Sequence, residues 1–376
     1  MPSGTERIIF SERQRAMKTV RFALGSRGYD VQIGAGTVDD AAVLAAQAGL
    51  DDAGAYAVVG DRAASAAFER TVRALRATGK PVHEIGLDVS ESSKSMAGLD
   101  ALYGRFIDAK LDRSGVVVAV GGGVVGDLAG YAAATFVRGV RYVNIPTTLL
   151  AAVDSSVGGK TAINHARGKN LIGAIHQPSL VIVDRSTFAS LPPREFVSGY
   201  GEMIKYGLAL DARLWNDLLA VEPSAVGDAQ IERCIALKAA IVAADERDDK
   251  GIRETLNFGH TIAHALEAAT DYGYYRHGEA VVVGMRAAVH LSAMRAHCSE
   301  ALAAAVDAEL AAVPVPALPR IDADVIVAAV GRDKKRAGGG ATRFVLLRAI
   351  GATVNDAGVD VRAVRETLAF LEAACA

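Results

Sequence analysis

The fold is decided by VVVAVGGGVVGDLAGYAAATFVRG (116–139) and, shortly after it, IPTTLLAAVDSSVGGKTAINHARGKN (145–170). The run over 116–120 predicts a buried parallel strand, because a continuous β-branched run is typical of a strand covered on both faces. The glycines at 121–123 then turn the chain into a helix that starts near Val124. Such a turn brings bare backbone amides and the positive end of a helix to a phosphate group.

The glycines of this turn also fit the GxGxxG spacing of dinucleotide-binding turns, at Gly121, Gly123 and Gly126. The usual fingerprint requires an acidic residue about 20 residues further on, and 140–146 contains none. Asp61, at the end of the earlier apolar run AYAVVGD, is an acid that suits the hydroxyls of an adenosine ribose. The alternative is a glycine-rich turn that only packs helix on strand, and the spacing alone does not decide between the two.

The second half of the stretch carries cationic residues beside glycines. In DSSVGGK (154–160) a glycine pair leads to Lys160, and in RGKN (167–170) Lys169 and Asn170 follow another glycine. Two lysines and an asparagine in such positions are typical of anion binding. The alternative, solvated surface charge, seldom places lysines beside glycines between apolar runs.

Length and composition limit the classes of function. A chain of 376 residues is too long for one core and predicts two domains. The formal charge of −2 gives no electrostatic footprint for nucleic acid or an anionic membrane, so we expect the local cations to bind a small molecule. Three cysteines without a CxxC motif predict reduced thiols in the cytoplasm. No apolar run is long enough to span a membrane, residues 1–17 lack the apolar core of a signal peptide, and we expect those residues to be a flexible N-terminal extension.

The pattern of the chain changes near residue 195. Before it, short β-rich runs alternate with alanine-rich helical stretches, which predicts an α/β domain with a parallel sheet over 18–195. After it, apolar residues at helical spacing predict an all-α domain over 196–376, with helices in 195–210, 231–246, 261–270 and 278–297. The paired prolines of LPPRE (191–195) predict a hinge, and a crevice between the domains is the expected place for a ligand.

The helical half contains a candidate metal site. His260 and His264 are four residues apart and share a helix face, His277 follows in RHGEA, and Glu202 lies three residues before Lys205 in an apolar helix. Two histidines and one carboxylate are the protein ligands of a catalytic zinc ion with an open position. Three histidines are available for two places, so the residues alone leave the ligand set open. The HExxH motif is absent, which excludes the metalloprotease interpretation.

Taken together, the motifs resemble those of the 3-dehydroquinate synthases, which are sugar phosphate cyclases of the shikimate pathway. The resemblance covers about residues 55–350 and is carried by GGGVVGDLAGYAAATFVRG, IPTTLLAAVDSSVGGKTAINHARGKNLIGA, LPPREFVSGYGEMIKYG, KAAIVAADER, RETLNFGHTIAHALE, HGEAVVVGM and DKK. It implies an NAD-binding α/β domain, a helical domain that binds Zn2+ or Co2+ and substrate, and a cytoplasmic homodimer. The implied substrate is 3-deoxy-D-arabino-heptulosonate 7-phosphate.

The implied reaction is that of a carbon–oxygen lyase. Transient oxidation by NAD precedes elimination of phosphate, and reduction, ring opening and an aldol cyclisation then give 3-dehydroquinate. Because the leaving phosphate can itself accept a proton, the enzyme needs cations that orient the phosphate more than a strong dedicated base. A planar arginine suits the substrate carboxylate.

The resemblance also implies roles for individual residues. The implied metal ligands are Glu202, His260 and His277, which leaves His264 beside the metal or in proton transfer. The implied NAD contacts are Asp61, Glu91, Lys94, Gly123, Val124, Val125, Gly126, Asp127, Thr147, Thr148, Lys160, Lys169, Thr187, Phe188, Ala189 and Ser190. The phosphate binders are Lys160, Asn170, Asn257, Lys334 and Lys335, and the carboxylate clamp is Lys238 with Arg253. The implied catalytic residues are Asp154, Lys160, Lys205 and His264, with Asp154 and Lys205 at the reacting hydroxyls. Arg138 would reach the neighbouring subunit's site.

Three segments depart from the family pattern. The usual DGExxK appears as VSESSK (89–94), DERDDKG (245–251) has one extra residue, and RAGGGATR (336–343) is longer than expected, which leaves open whether Lys334 or Lys335 faces the site. The alternatives are a cyclase for an amino analogue or an epi-valiolone-type synthase, a metal-dependent polyol dehydrogenase, and an inactive NAD-binding regulator. Arg253, Asn257 and His264 favour a substrate with a carboxylate, although an amino-dehydroquinate synthase shares that feature.

Overall fold

The computed structural model describes residues 17–336 and 343–374, with side chains for all of these except 332–336. The chain forms two compact units, the first ending at Ser190 and the second beginning at Leu191. Within the described residues, no helix combines the length and the apolar character needed to cross a membrane. The predicted extension over 1–17 lies outside the described residues except for Met17, and so do the side chains of Lys334 and Lys335.

The first unit is built on a sheet of seven strands. Its described residues form the strands β1 (Lys18–Phe22), β2 (Tyr29–Ile33), β3 (Tyr56–Asp61), β4 (Val82–Leu87), β5 (Val116–Gly121), β6 (Arg141–Pro146), β7 (Lys160–His165), β8 (Gly168–Ile175) and β9 (Leu180–Val183). The sheet has the order β1-β2-β9-β6-β5-β3-β4, and all its neighbours are parallel except β1 and β2. Strands β7 and β8 pair separately as an antiparallel hairpin. The predicted parallel α/β architecture is confirmed, with an antiparallel edge added.

Helices cover both faces of this sheet. They are α1 (Ala41–Gln47), α2 (Ser65–Arg76), α3 (Met96–Asp108) and α4 (Gly123–Thr135). Side chains alternate along each strand, so Val58 packs into an apolar cluster with α1 and α2 while Val59 packs into another with α3 and α4. All six residues of β5 are buried, as its continuous apolar sequence predicts. The sheet is therefore the middle of three layers.

The glycines after β5 are explained in part by packing. A Cβ atom on Gly121 would lie 2.5 Å from the Val125 side chain, and one on Gly126 would lie 3.0 Å from the Asn144 amide. The glycines therefore permit a tight turn and a close approach of α4 to β6. The result confirms the predicted strand, turn and helix, and places the first turn of α4 at the carboxyl end of β5.

The second unit is mainly helical. Its described residues form α5 (Pro193–Leu210), α6 (Ala212–Leu219), α7 (Asp228–Ala244), α8 (His260–Ala269), α9 (His277–Met294), α10 (Glu300–Ala311), α11 (Ala323–Arg336), α12 (Val361–Ala374), and the strands β10 (Phe344–Ala349) and β11 (Ala352–Asp356). The four helices predicted from periodicity correspond to α5, α7, α8 and α9. The antiparallel β10–β11 hairpin is an addition to the expected helical domain. Helix α9 is buried along most of its length and contacts α5, α8 and α10.

Candidate active site

Three potential metal ligands converge in the second unit. Glu202 comes from the middle of α5, and His260 and His277 are the first residues of α8 and α9. The Nε2 atoms of His260 and His277 lie 3.5 and 3.4 Å from Glu202 Oε1, and the potential ligand atoms are all within 4.8 Å of one another. Glu202 is fully buried. Because two imidazoles and a carboxylate form the donor set of a catalytic zinc site, these residues fit a Zn2+ or Co2+ ion.

Close backbone contact between α5 and α9 brings Glu202 and His277 together. A Cβ atom on Gly278 would lie 1.8 Å from the Ser198 carbonyl oxygen, and one on Gly201 would lie 2.4 Å from the Gly278 carbonyl oxygen. The Gly278 N–H also donates to Ser198 Oγ at 3.0 Å. Only glycine allows two helices to approach this closely, and each glycine is adjacent in sequence to a potential ligand.

A second close contact places the start of α8 against α9. A Cβ atom on Gly284 would lie 2.1 Å from the Gly259 carbonyl oxygen, and one on Gly259 would lie 2.8 Å from the Met285 nitrogen. Gly259 has a φ of +79°, which a residue with a side chain rarely adopts. The glycine immediately before His260 therefore both ends the preceding loop and allows the helices to touch.

The charges of the cluster are closely coupled. The Lys205 ammonium group contacts Glu202 Oε2, and both side chains are buried. Burial lowers the pKa of His260 well below its ordinary value. Burial also pulls down the pKa of His277, but the carboxylates of Glu202 and Glu267 outweigh it and raise that pKa overall. Since a metal binds only neutral imidazole, an ion at this site competes with the proton of His277.

Two further residues, His264 and Glu267, lie beside the cluster of potential metal ligands. The His264 ring is exposed and lies 5.3 Å from the His260 ring and 6.1 Å from the His277 ring, measured between centroids. The sequence motifs did not indicate Glu267, whose carboxylate oxygens both lie 3.4 Å from His277 Nδ1. A carboxylate on the remote nitrogen orients a ligating ring, here with Nε2 towards Glu202. The signal for Glu267 was its spacing, three residues after His264 on the same helix face.

In the first unit, most of the predicted NAD contacts lie at the carboxyl ends of four adjacent parallel strands. Asp61 ends β3, Gly123 and the four residues after it begin α4 behind β5, Thr147 and Thr148 follow β6, and the Thr187 to Ser190 segment lies in a 3-10 helix after β9. The chain leaves β3 for β4 on one side and returns to β5 on the other, and such a reversal opens a crevice at the carboxyl ends. The first amides of an α-helix have no acceptor within the helix, and those of α4 lie at this edge, where they fit the pyrophosphate of a dinucleotide.

Lys94, predicted to contact NAD, is bound by side chains of the first unit. It is 4% exposed, and its Nζ donates to Asp127 Oδ2 and to Asn170 Oδ1, both at 2.6 Å. It therefore ties the first turns of α4 to the RGKN turn, where Asn170 has a left-handed φ of 54°. With its oxygen bound to Lys94, the Asn170 amide turns its two N–H donors elsewhere, which suits an anion.

Glu91 lies in the same network. Its Oε1 accepts a hydrogen bond from Asn164 Nδ2 at 2.7 Å and lies 3.8 Å from Lys169 Nζ. The departure VSESSK thus keeps a glutamate and a lysine that fasten the β7–β8 hairpin. The predicted NAD contact Lys169 is paired with an acid of its own unit.

The predicted catalytic residues of the first unit flank a glycine pair. Asp154 lies in a π-helical turn, a type of turn frequent at functional sites, and Lys160 is the exposed first residue of β7. Between them Gly158 and Gly159 have φ values of +90° and +73°. The Gly158 N–H donates to the hydroxyl of Tyr29 at 2.9 Å, which anchors the loop.

The predicted carboxylate clamp lies on neighbouring elements of the second unit. Lys238 on α7 is 6% exposed, Arg253 is 4% exposed and Asn257 is exposed. Arg253 Nη1 donates to the Glu246 carbonyl oxygen at 3.1 Å, and no ion pair joins Arg253 to an acidic group of the described residues. A buried charge without a counter-ion is costly, so this guanidinium favours an anionic ligand.

Arg138 lies on the surface of the first unit. It is exposed and follows α4 in a short 3-10 segment, Phe136–Arg138. Val137 and Arg138 have φ values of 43° and 73°, and no interaction is found for the Arg138 side chain among the described residues. The turn is strained and exposed, and it leaves the Arg138 guanidinium accessible to solvent.

Comparison with known proteins identifies the family. A model of the 3-dehydroquinate synthase N-terminal part matches residues 84–198, and a model of the C-terminal part matches 199–336. The chain belongs to the 3-dehydroquinate synthase family. A 3-dehydroquinate synthase from Geobacter sp. strain M21 is 42% identical over 359 residues, which cover 90% of this chain and 98% of the relative.

Solved structures of other sugar phosphate cyclases share the fold. A 2-deoxy-scyllo-inosose synthase complexed with carbaglucose-6-phosphate, NAD+ and Co2+ superposes with a TM-score of 0.82 at 25% identity, covering 95% of this chain and 99% of that one. A 2-epi-5-epi-valiolone synthase from Streptomyces hygroscopicus, with NAD+ and Zn2+ bound, gives a TM-score of 0.79 at 26% identity, covering 91% and 96%. The predicted fold class is confirmed, and both relatives hold the predicted types of cofactor.

Proposed function

We propose that the protein is a 3-dehydroquinate synthase, a lyase that converts 3-deoxy-D-arabino-heptulosonate 7-phosphate to 3-dehydroquinate and phosphate. The observation that carries the proposal is the buried cluster of Glu202, His260 and His277 in a chain that matches both parts of the family. In this proposal residues 18–195 bind NAD, and residues 196–376 bind the metal and substrate.

Glu202, His260 and His277 would hold a divalent metal, which would supply a Lewis acid for a substrate hydroxyl, and bound NAD would supply hydride transfer. The chain itself binds and orients the substrate. The buried fork of Arg253 pairs with the carboxylate, with Lys238 adding charge. The phosphate is oriented by cationic and amide donors, namely Lys160, Asn170, Asn257 and a lysine of the DKK motif.

The surroundings of Arg253 favour a substrate that has a carboxylate over a cyclase substrate that lacks one. Its guanidinium is buried and has no ion pair among the described residues. A substrate without a carboxylate would leave this charge uncompensated, which costs about 1 to 3 kcal/mol or more for a buried polar group. The same guanidinium would also bind the acid of an amino analogue, so product identification is needed to separate these two cyclases.

The proposed function is tested by measuring phosphate release and NADH accumulation in the same reaction. Purified protein with the heptulosonate phosphate, Zn2+ and a catalytic amount of NAD+ is expected to release phosphate and form 3-dehydroquinate. Because hydride returns to the substrate in each cycle, absorbance at 340 nm should show no lasting rise. A polyol dehydrogenase would instead accumulate one NADH per product, with the phosphate retained, and that result would overturn the proposal.

We also propose that the enzyme is a cytoplasmic homodimer in which Arg138 serves the neighbouring subunit. The proposal is supported by the exposed, strained turn that presents Arg138. Arg138→Ala and His277→Ala dimers should each be inactive, and mixing their subunits should restore activity, because one site of each hybrid dimer carries neither change. A monomeric mass by light scattering, or mixed subunits that stay inactive, would contradict it.

A further inference from the structure

Residues 245–253 form a loop around one buried carboxylate. Asp245, which follows the last residue of α7, is 0% exposed. Its Oδ1 accepts the N–H groups of Asp249 and Lys250 at 3.0 and 3.2 Å, and its Oδ2 accepts those of Ile252 and Arg253 at 3.1 and 3.4 Å. Burial alone would raise the pKa of Asp245, but these backbone donors lower it below its ordinary value. The loop is therefore organised by an ionised side chain.

This loop holds Arg253 at two points. The main chain of Arg253 is bound to Asp245 Oδ2, and its guanidinium donates to the carbonyl oxygen of Glu246, at the other end of the same loop. Gly251 and Asp248 adopt left-handed φ values of 74° and 59° within the loop. The position of the guanidinium thus depends on a conformation that Asp245 stabilises through its hydrogen bonds.

We propose that Asp245 is a positioning residue for substrate recognition, which acts by fixing the loop that sets the Arg253 guanidinium. The proposal rests on the proposed function, in which Arg253 binds the substrate carboxylate. A carboxylate is required because both of its oxygens only accept hydrogen bonds. Asparagine has the same shape, but its NH2 group would face two backbone N–H donors and leave them unsatisfied.

The first test compares Asp245→Asn with Asp249→Asn in the enzyme loaded with NAD and zinc. Asp249 is an exposed residue of the same loop, so this control makes the same charge change without removing an acceptor of the loop amides. Asp245→Asn is expected to raise KM for the heptulosonate phosphate about 10- to 100-fold, with a smaller change in kcat, because one buried pair of donors loses its acceptor. The control should keep its KM within about twofold of the wild type, as expected for an exposed substitution.

A double-mutant cycle tests whether Asp245 acts through Arg253. Arg253→Ala should itself raise KM, and adding Asp245→Asn to it should change KM by less than about twofold, since the group that is positioned has been removed. Independent, multiplying effects of the two changes would overturn the inference. So would a wild-type KM in the single Asp245→Asn variant.

Hydrogen exchange gives a readout that does not depend on the substrate. Amides of residues 246–253 should exchange faster in Asp245→Asn than in Asp249→Asn, and equal rates would contradict the role of Asp245 in the loop. Failure of the wild-type enzyme to form 3-dehydroquinate would instead refute the proposed function, so the two failures are distinguishable. If Asp245→Asn does not fold, Gly251→Ala strains the same loop at its left-handed φ and must raise KM with the same dependence on Arg253.

Discussion

Replacing His277 with alanine is expected to remove about one equivalent of bound metal and to lower turnover on the order of a thousandfold or more, since a Lewis acid contributes several kcal/mol. His277 Nε2 lies 3.4 Å from Glu202 Oε1, so its loss leaves one imidazole and one carboxylate. The fold should persist, because His277 is the first residue of α9 and its side chain is 32% exposed. Metal content by mass spectrometry and phosphate release are the measurements.

His290→Ala is the matched control for this prediction. His290 lies on the same helix, but its ring stacks on Phe370 at 4.1 Å between centroids, and no metal-ligand group of the described residues includes it. The control should retain metal and activity. A chelator should abolish turnover of the wild type, and added Zn2+ or Co2+ should restore it. The same metals should not restore turnover of His277→Ala. Unchanged metal content in His277→Ala would refute the ligand assignment.

The central strands could be predicted from the sequence, and several others could not. Strands β5 and β9 are continuous apolar runs, whereas an amphipathic helix would carry polar residues on one face. Strand β4, VHEIGL, has one buried residue, and the β7–β8 hairpin, KTAINH and GKNLIGAI, mixes polar and apolar residues without a regular alternation. Their sequences resemble loops because pairing with a neighbour, rather than burial, holds them. Strand β10 lies between two helices in the sequence, and its short apolar run is as compatible with a buried helix segment as with a strand.

The metal cluster was accessible to sequence analysis only in part. The spacing of His260 and His264 places both on one face of α8, but the choice between three histidines depends on where α9 crosses, and a helix crossing leaves no local pattern. The resemblance to a known family supplied that choice. Glu267 was detectable from its position on the same face, whereas its contact with His277 was not.

Two other features depend on contacts between distant residues. Lys94 reaches Asp127 and Asn170, which are 33 and 76 residues away in the chain, so its burial within a network could not be read from VSESSK. Asp245 binds backbone amides, whose positions depend on loop conformation and not on residue type. Sequence motifs therefore indicated candidate ligand-binding groups more readily than the groups that hold those candidates in place.

Gly278→Ala is expected to destabilise the second unit by about 3 kcal/mol or more, because overpacking at a rigid contact is among the costliest single changes. The new Cβ atom would lie 1.8 Å from the Ser198 carbonyl oxygen. Both atoms belong to, or are attached directly to, helix backbones, so relief requires α5 and α9 to separate. Separation moves Glu202 away from His277, and metal affinity should fall together with the free energy of unfolding.

Gly331→Ala provides the control, because Gly331 lies within α11 and a Cβ atom there meets nothing within 4 Å. Alanine is favoured over glycine inside a helix by up to about 1 kcal/mol, so this variant should be as stable as the wild type or more so. Denaturant unfolding and zinc competition with a chelator measure the two effects. If Gly278→Ala unfolded at the wild-type denaturant concentration while binding zinc normally, close helix contact would not be what assembles the metal site. Lower stability with normal zinc affinity would contradict only the link between the crossing and the site, because the ligands would then be held by other contacts, such as that of Glu267 with His277.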